Sequence, residues 1–153
     1  MTQHEPSTPY DVAVSRVVEL RKRLGWSARR LGEEMASAGF DWSRETVTNF
    51  ELRRRRASVN ELFGLAYVLN VSLTNLLVPV NPLSHPHAGE MDDKAPYQVV
   101  PKLDVPIWQV RQWIRGWRSL PGQDPYRYFA EAPEHERPSE EELSRLAKAD
   151  PDA

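Results

Sequence analysis

The stretch "SRETVTNFELRRRRASVNELFGLAYVLNVSLTNLL", residues Ser43 to Leu77, decides the fold. Its apolar residues recur at helical spacing, and the breaks between the periodic runs carry residues that begin helices. Ser58 and Glu61 form an S-x-x-E capping box, in which side chains and backbone exchange two hydrogen bonds, directly before an apolar run. The pattern therefore predicts three short helices, which begin after Ser43, Ser58 and Ser72.

Two further helices are predicted upstream of this stretch. Thr8-Pro9 is an N-cap followed by proline at the first helical position, where the missing N–H has no intrahelical partner to lose. Gly25 ends this first helix, because glycine adopts the left-handed conformation found after helix C-termini. Ser27 caps the second helix and Gly39 ends it. Residues 10–78 are thus expected to hold five short helices.

The rest of the chain has a different composition. Six prolines fall in the 28 residues from Pro79 to Pro106, and proline removes a backbone donor and disfavours helix at the preceding residue. "YQVV", Tyr97 to Val100, favours one short strand there, and the following "PIWQVRQWIRGWRSLPG" has the apolar spacing of a helix. The predicted organisation is a flexible N-terminus at 1–9, the helical domain at 10–78, a Pro-rich linker at 79–105, a Trp-rich amphipathic helix and turn at 106–129, and an acidic tail at 130–153.

Charge is distributed unevenly along the 153 residues, although the net charge is only -2. Residues 12–80 carry eleven Lys/Arg against seven Asp/Glu, or +4, whereas residues 130–153 carry three against eight, or -5. A polyanion would therefore bind the first half. The sequence has no run long and apolar enough to span a membrane, no signal-peptide pattern and no cysteine. We expect a cytoplasmic protein without a membrane partner.

No catalytic or metal-binding constellation is recognisable in the sequence. A proline separates His85 from His87, and no carboxylate or cysteine set completes a metal site around them. The carboxylates of Asp92-Asp93 and of 140–142 lie in polar runs that would not bury them and shift their pKa as acid/base catalysis requires. We therefore predict no enzymatic activity, no metal and no cofactor.

The order of these signals resembles a known family. "LRKRLGWSARRLGEEM", Leu20 to Met35, followed by the stretch from Ser43 to Leu77, is similar to the Cro and phage-repressor (XRE) helix-turn-helix family over residues 12–78. The resemblance implies an all-α, five-helix lambda-repressor-like domain. It also implies sequence-specific binding of double-stranded DNA by a transcriptional regulator, most often a repressor.

By this resemblance, the helix at 43–52 enters the major groove. Its base-reading side chains would be Arg44, Glu45, Thr48 and Asn49, whereas Val47 and Phe50 would anchor it to the core. The residue types suit base edges, because arginine binds guanine, asparagine binds adenine, glutamate accepts from cytosine, and threonine contacts a thymine methyl.

The resemblance also implies which residues contact the DNA backbone and which hold the scaffold. The phosphate-binding residues would be Ser27, Arg29, Ser43, Arg53, Arg54, Arg55 and Arg56, and an ion pair between Arg21 and Glu51 would fix the reading helix. Arg53 stands where the family usually has glycine, so it must adopt a left-handed conformation or end the helix differently. The turn before Ser43 is about five residues longer than the family's tightest form.

Selective binding requires more contacts than one small domain makes, so we expect a homodimer on two half-sites about 10 base pairs apart. Its predicted contact is the fifth helix or the Trp-rich helix, which contains Trp108, Trp113 and Trp117. The alternative function is a protein-interaction or antitoxin-type module. In that case the C-terminal helix binds a protein partner and the helical domain is a scaffold.

Overall fold

A computed structural model describes residues 8–78 and 96–149. The chain is mostly helical, as predicted, with one small antiparallel sheet. It divides into two compact units, with the boundary between Ile107 and Trp108. The predicted linker residues 79–95, with His85, His87 and Asp92-Asp93, lie outside the described residues.

Five helices form residues 8–78 of the first unit, and a side-chain cap begins each of them. They are α1 (Pro9–Arg23), α2 (Ala28–Ser37), α3 (Arg44–Glu51), α4 (Val59–Val68) and α5 (Leu73–Leu77), capped by Thr8, Ser27, Ser43, Ser58 and Ser72. Each cap oxygen accepts a hydrogen bond from a backbone N–H three residues on, which satisfies a donor that has no intrahelical partner. The predicted helix starts are therefore confirmed.

The core of this unit is a single apolar cluster built from all five helices. It contains Val14, Val17, Leu20, Leu31, Met35, Trp42, Val47, Phe50, Leu65, Ala66, Leu69 and Leu76. The long turn between α2 and α3 contributes Trp42, whose ring lies 5.8 Å from the ring of Phe50. This turn thus adds an aromatic side chain to the core.

A hairpin completes the first unit. Strand β1 (Pro96–Val100) pairs antiparallel with strand β2 (Leu103–Pro106), and the Tyr97 hydroxyl donates to the Leu77 carbonyl at 2.8 Å. Residues 96–105 are therefore a hairpin and not part of a linker. The prolines misled the sequence interpretation because Pro96 and Pro106 pair at the hairpin's open end and Pro101 lies in its turn, where no ladder N–H is needed.

The second unit contains short helices. They are α6 (Ile107–Ile114), whose first residue belongs to the first unit, α7 (Pro125–Ala130) and α8 (Glu140–Ala149), with a 3-10 turn at Glu134–Glu136. The Trp-rich helix ends at Ile114, and Gly116 follows it with φ of 77°. Helix α8 occupies ten of the 24 residues of the predicted acidic tail, and Leu143 anchors it as a buried side chain.

Candidate nucleic-acid interface

Helix α3 has one buried and one exposed side. Val47 and Phe50 are fully buried, whereas Arg44, Glu45 and Thr48 are exposed. The side chains of Arg44 and Glu45 have no hydrogen-bond or ion-pair partner within residues 8–78 and 96–149. Three of the four predicted base-reading residues are thus exposed on α3, and the side chains of Arg44 and Glu45 have no polar partner among the described residues.

The other two predicted base-reading residues, Thr48 and Asn49, are more restricted by contacts within the chain. The Thr48 hydroxyl donates to the Arg44 carbonyl at 3.0 Å, so its proton is used within the helix. Asn49 is half-buried, and its backbone carbonyl accepts from the N–H groups of Arg54 and Arg55 at 2.8 and 3.2 Å. Asn49 therefore lies at the margin of the exposed face, where the chain turns into the arginine run.

An ion pair holds α3 on the scaffold. Arg21 Nε donates to one carboxylate oxygen of Glu51 at 2.6 Å, and Nη2 donates to the other at 3.0 Å. A third donor, Nη1, binds the Trp26 carbonyl at 2.8 Å. The two side chains are only 13% and 14% exposed. The ion pair expected between these residues is present, in the bidentate geometry that fixes both distance and angle.

Helix α2 packs against the start of α3 at Gly32. A Cβ atom at this position would lie 2.7 Å from the carbonyl carbon of Ser43 and 2.9 Å from the backbone nitrogen of Arg44. These are backbone atoms at the start of α3, so they cannot move without moving the helix. Glycine at position 32 therefore permits the spacing of the two helices.

The first arginine of the run adopts the left-handed conformation. Arg53 has φ of 58°, which confirms one of the two expected ways to end α3 without glycine. Its Nε donates to Asp11 at 3.2 Å. The pKa of Asp11 is lowered, chiefly by the hydrogen bond from the Thr8 hydroxyl and further by Arg53. This contact ties the end of α3 to the first turn of α1.

Arg55 is part of an internal network. Its guanidinium carbon lies 5.1 Å from the centre of the Trp42 ring, and Nη2 donates to Glu61 at 2.7 Å. Trp42 Nε1 donates to the same carboxylate. Desolvation acts to raise the pKa of Glu61, but hydrogen bonds from the Ser58 backbone, Arg55 and Trp42 outweigh it and lower this pKa to about 2. Arg55 is therefore held by partners within the chain, and its phosphate contact stays a prediction.

The remaining two arginines are exposed. The guanidinium of Arg56 lies over the Tyr10 ring at 5.5 Å, and the Tyr10 hydroxyl donates to the Arg55 carbonyl at 3.0 Å. The side chain of Arg54 has no polar partner in the described part of the chain. The four arginines of the run thus differ. Arg55 is held inside the chain, Arg53 and Arg56 contact α1, and the guanidinium of Arg54 has no polar partner among the described residues.

The predicted phosphate contacts on α2 and at the start of α3 are partly used by local structure. The Ser27 and Ser43 hydroxyls act as helix caps, and the Ser43 backbone N–H in turn donates to the Thr46 hydroxyl at 3.1 Å. Arg29 is 78% exposed and pairs with Glu33 at 2.9 Å on the surface. An exposed pair of this kind is weak and can exchange for a phosphate.

Several residues that position this surface were not identified from the sequence. Gly32 is a glycine inside a helix, and that is a recognisable signal of close packing. Tyr10, Asp11 and Trp42 gave no such signal, because each contacts an arginine more than ten positions away in the chain.

Comparison with known proteins adds no relative. No protein-family model matches this chain, and neither the curated proteins nor the solved structures searched gave a match. In residues 8–78 and 96–149, no helix combines the length and apolar character needed to cross a bilayer. The same residues contain no cluster of three or more His, Asp or Glu side chains suited to a metal ion.

Proposed function

We propose that residues 8–78 form a lambda-repressor-like helix-turn-helix domain of the XRE type. It binds double-stranded DNA sequence-specifically, with α3 in the major groove, and acts as a transcriptional regulator, most often a repressor in this family. The observation that carries the proposal is the division of α3 into a fixed side and a free side. Glu51 and the buried apolar residues hold the helix, whereas the side chains of Arg44 and Glu45 have no polar partner among the described residues.

The free side chains have the chemistry of base readers. The Arg44 guanidinium can donate two parallel hydrogen bonds to a guanine, and the Glu45 carboxylate can accept from a cytosine amino group. The Thr48 methyl suits a thymine methyl, since its hydroxyl proton stays within the helix. Each well-placed pair contributes about 1 to 3 kcal/mol of discrimination against a wrong base.

The surface next to α3 supplies the nonspecific part of the affinity. Arg53, Arg54 and Arg56 follow the helix directly, and the N-terminus of α2 adds backbone donors and the exposed Arg29. Contacts of this kind fix the register of the protein on the duplex, whereas α3 determines which base sequence is bound. The arginine run therefore gives a chain of net charge -2 a locally positive surface that can bind a polyanion.

Two variants of the run test this part of the proposal. We expect Arg54→Ala to leave Tm unchanged and to reduce the slope of log K against log salt by about 0.9 for each phosphate that the variant no longer binds. We expect Arg55→Ala to lower Tm, because it removes the partner of Glu61 and the cation over Trp42. Fluorescence anisotropy of a labelled duplex over a salt series gives the slope. An unchanged slope with Arg54→Ala would contradict the phosphate assignment.

The second unit supports a second candidate function, a protein-binding module. The aromatic side chains of Trp117 and Tyr126 are 62% and 44% exposed. A cavity of about 450 Å³ lies beside Trp117 and is also lined by Phe129 and Leu146. Aromatic side chains next to a cavity are typical anchors for a protein partner. A function that survives the loss of Arg44 would favour this candidate.

A further inference from the structure

The carboxylate of Glu61 joins three segments of the first unit. One of its oxygens accepts hydrogen bonds from Trp42 Nε1 and from Arg55 Nη2, the latter at 2.7 Å. The other oxygen accepts from the backbone N–H of Ser58 at 2.9 Å. The Glu61 side chain is only 15% exposed, and Trp42 is buried in the core. The carboxylate therefore lies where the turn before α3, the arginine run and the start of α4 meet.

Arg55 is also held through its backbone. Its N–H donates to the Asn49 carbonyl at 3.2 Å, and its carbonyl accepts from the Tyr10 hydroxyl at 3.0 Å. The side chain and the backbone of this one residue are thus fixed to α1, α3 and α4. Arg54 and Arg56 are bonded to it on either side, and both are exposed. The position of Arg55 therefore determines where these two guanidinium groups can reach.

We infer that Glu61 is a positioning residue for DNA binding, an inference that rests on the proposed function. Glu61 does not contact the duplex itself. It holds Arg55, and Arg55 holds the run in the conformation that presents Arg54 to a phosphate strand. A preformed run loses less conformational entropy on binding than a free one does. The affinity for the DNA backbone therefore depends on a carboxylate.

The sign of the expected effect separates this role from simple electrostatics. A carboxylate near a phosphate-binding surface repels DNA, so its removal alone should strengthen binding. Positioning predicts the reverse, because a run released from Glu61 must be ordered again when it binds a phosphate. A weaker complex after the loss of a negative charge therefore has no explanation in net charge.

Glu61→Gln tests the inference in the full chain. The amide has almost the same shape, but it offers one acceptor oxygen and one NH2 group where the carboxylate offers two acceptor oxygens. Either orientation puts the NH2 group against a donor, which is the Ser58 N–H on one side and Trp42 with Arg55 on the other. We expect the affinity for a labelled duplex of mixed sequence to fall at least about fivefold, which corresponds to ordering one backbone residue on binding.

Glu33→Gln is the matched control. It removes the same charge from α2, where the Glu33 side chain is 55% exposed and pairs with Arg29. This variant should bind the mixed-sequence duplex at least as tightly as wild type does. Equal or tighter binding by Glu61→Gln would overturn the inference, because Glu61 would then only neutralise Arg55.

Two further variants separate positioning from the loss of a helix cap. Ser58→Ala removes the hydroxyl that accepts from the Glu61 N–H at 3.1 Å, but it leaves the pair with Arg55 intact. It should lower Tm without changing the affinity for DNA. In an Arg55→Ala background, Glu61→Gln should have no further effect on this affinity, since the residue through which it acts is absent. Additive losses in the double variant, or equal losses with Ser58→Ala and Glu61→Gln, would contradict positioning through Arg55.

Amide hydrogen exchange measures the positioning without DNA. The N–H groups of Arg54 and Arg55 both donate to the Asn49 carbonyl. In Glu61→Gln these two amides should exchange at least about tenfold faster, relative to any change in the amides of α1. Unchanged relative exchange would mean that Glu61 does not hold the run. A wild-type protein that binds no duplex, with the exchange result as expected, would instead contradict the proposed function.

Discussion

Gly32→Ala is expected to destabilise the first unit by about 2 kcal/mol and to weaken DNA binding at least about tenfold. Alanine normally stabilises a helix relative to glycine by about 1 kcal/mol, so helix propensity alone predicts the opposite sign. The new methyl group would meet the backbone of Ser43 and Arg44 at 2.7 to 2.9 Å. Helix α3 must therefore shift, and the shift displaces the side chains that we propose read the bases.

Urea unfolding and duplex binding of the same preparation measure the two effects of Gly32→Ala. Ala36→Gly is the matched control on α2, since Ala36 is exposed and its replacement costs about 1 kcal/mol through helix propensity without moving α3. The control should retain its DNA affinity. Unchanged stability with Gly32→Ala would contradict the close approach of α2 and α3.

Arg21→Ala is expected to cost about 3 kcal/mol, because it leaves the Glu51 carboxylate partly buried without its cation. We expect the lower end of the range for buried pairs, since both side chains retain a little exposure, 13% and 14%. The variant also removes the donor to the Trp26 carbonyl. Denaturant unfolding gives the free energy directly.

Arg23→Ala is the control for this change. Arg23 lies on the same helix and pairs with Glu19, but its side chain is 58% exposed, so its loss should cost only about 0.5 kcal/mol. Equal costs for the two variants would mean that the pair with Glu51 is no more important than a surface contact. A double-mutant cycle with Glu51→Ala isolates the energy of the pair itself.

The helices of the first unit could be predicted because their signals are local. Thr8, Ser27, Ser58 and Ser72 each cap a helix through atoms three residues away, and capping chemistry can be identified within one turn. The ion pair between Arg21 and Glu51 was accessible only through the resemblance, because nothing local links two residues thirty positions apart.

The division of labour within the arginine run could not be predicted. The sequence presents Arg53 to Arg56 as equivalent cations, but the fold brings Asp11, Glu61 and two aromatic rings against some of them. Of the hairpin at 96–106, only a strand at Tyr97 to Val100 was predicted, for a related reason. The number of prolines in this segment argues against a strand. Only the pairing register shows that they lie at the ends and in the turn of the hairpin.

The central claim is that α3 reads DNA sequence, and selection from a random double-stranded library tests it most directly. Wild type, Arg44→Ala and the exposed control Glu33→Ala should be run side by side at about 0.15 M ionic strength. We predict one enriched motif for wild type and the control, which relaxes at a single base pair in Arg44→Ala, with a loss of about 1 to 3 kcal/mol there. Absence of any motif, or the same motif with all three proteins, would contradict the claim.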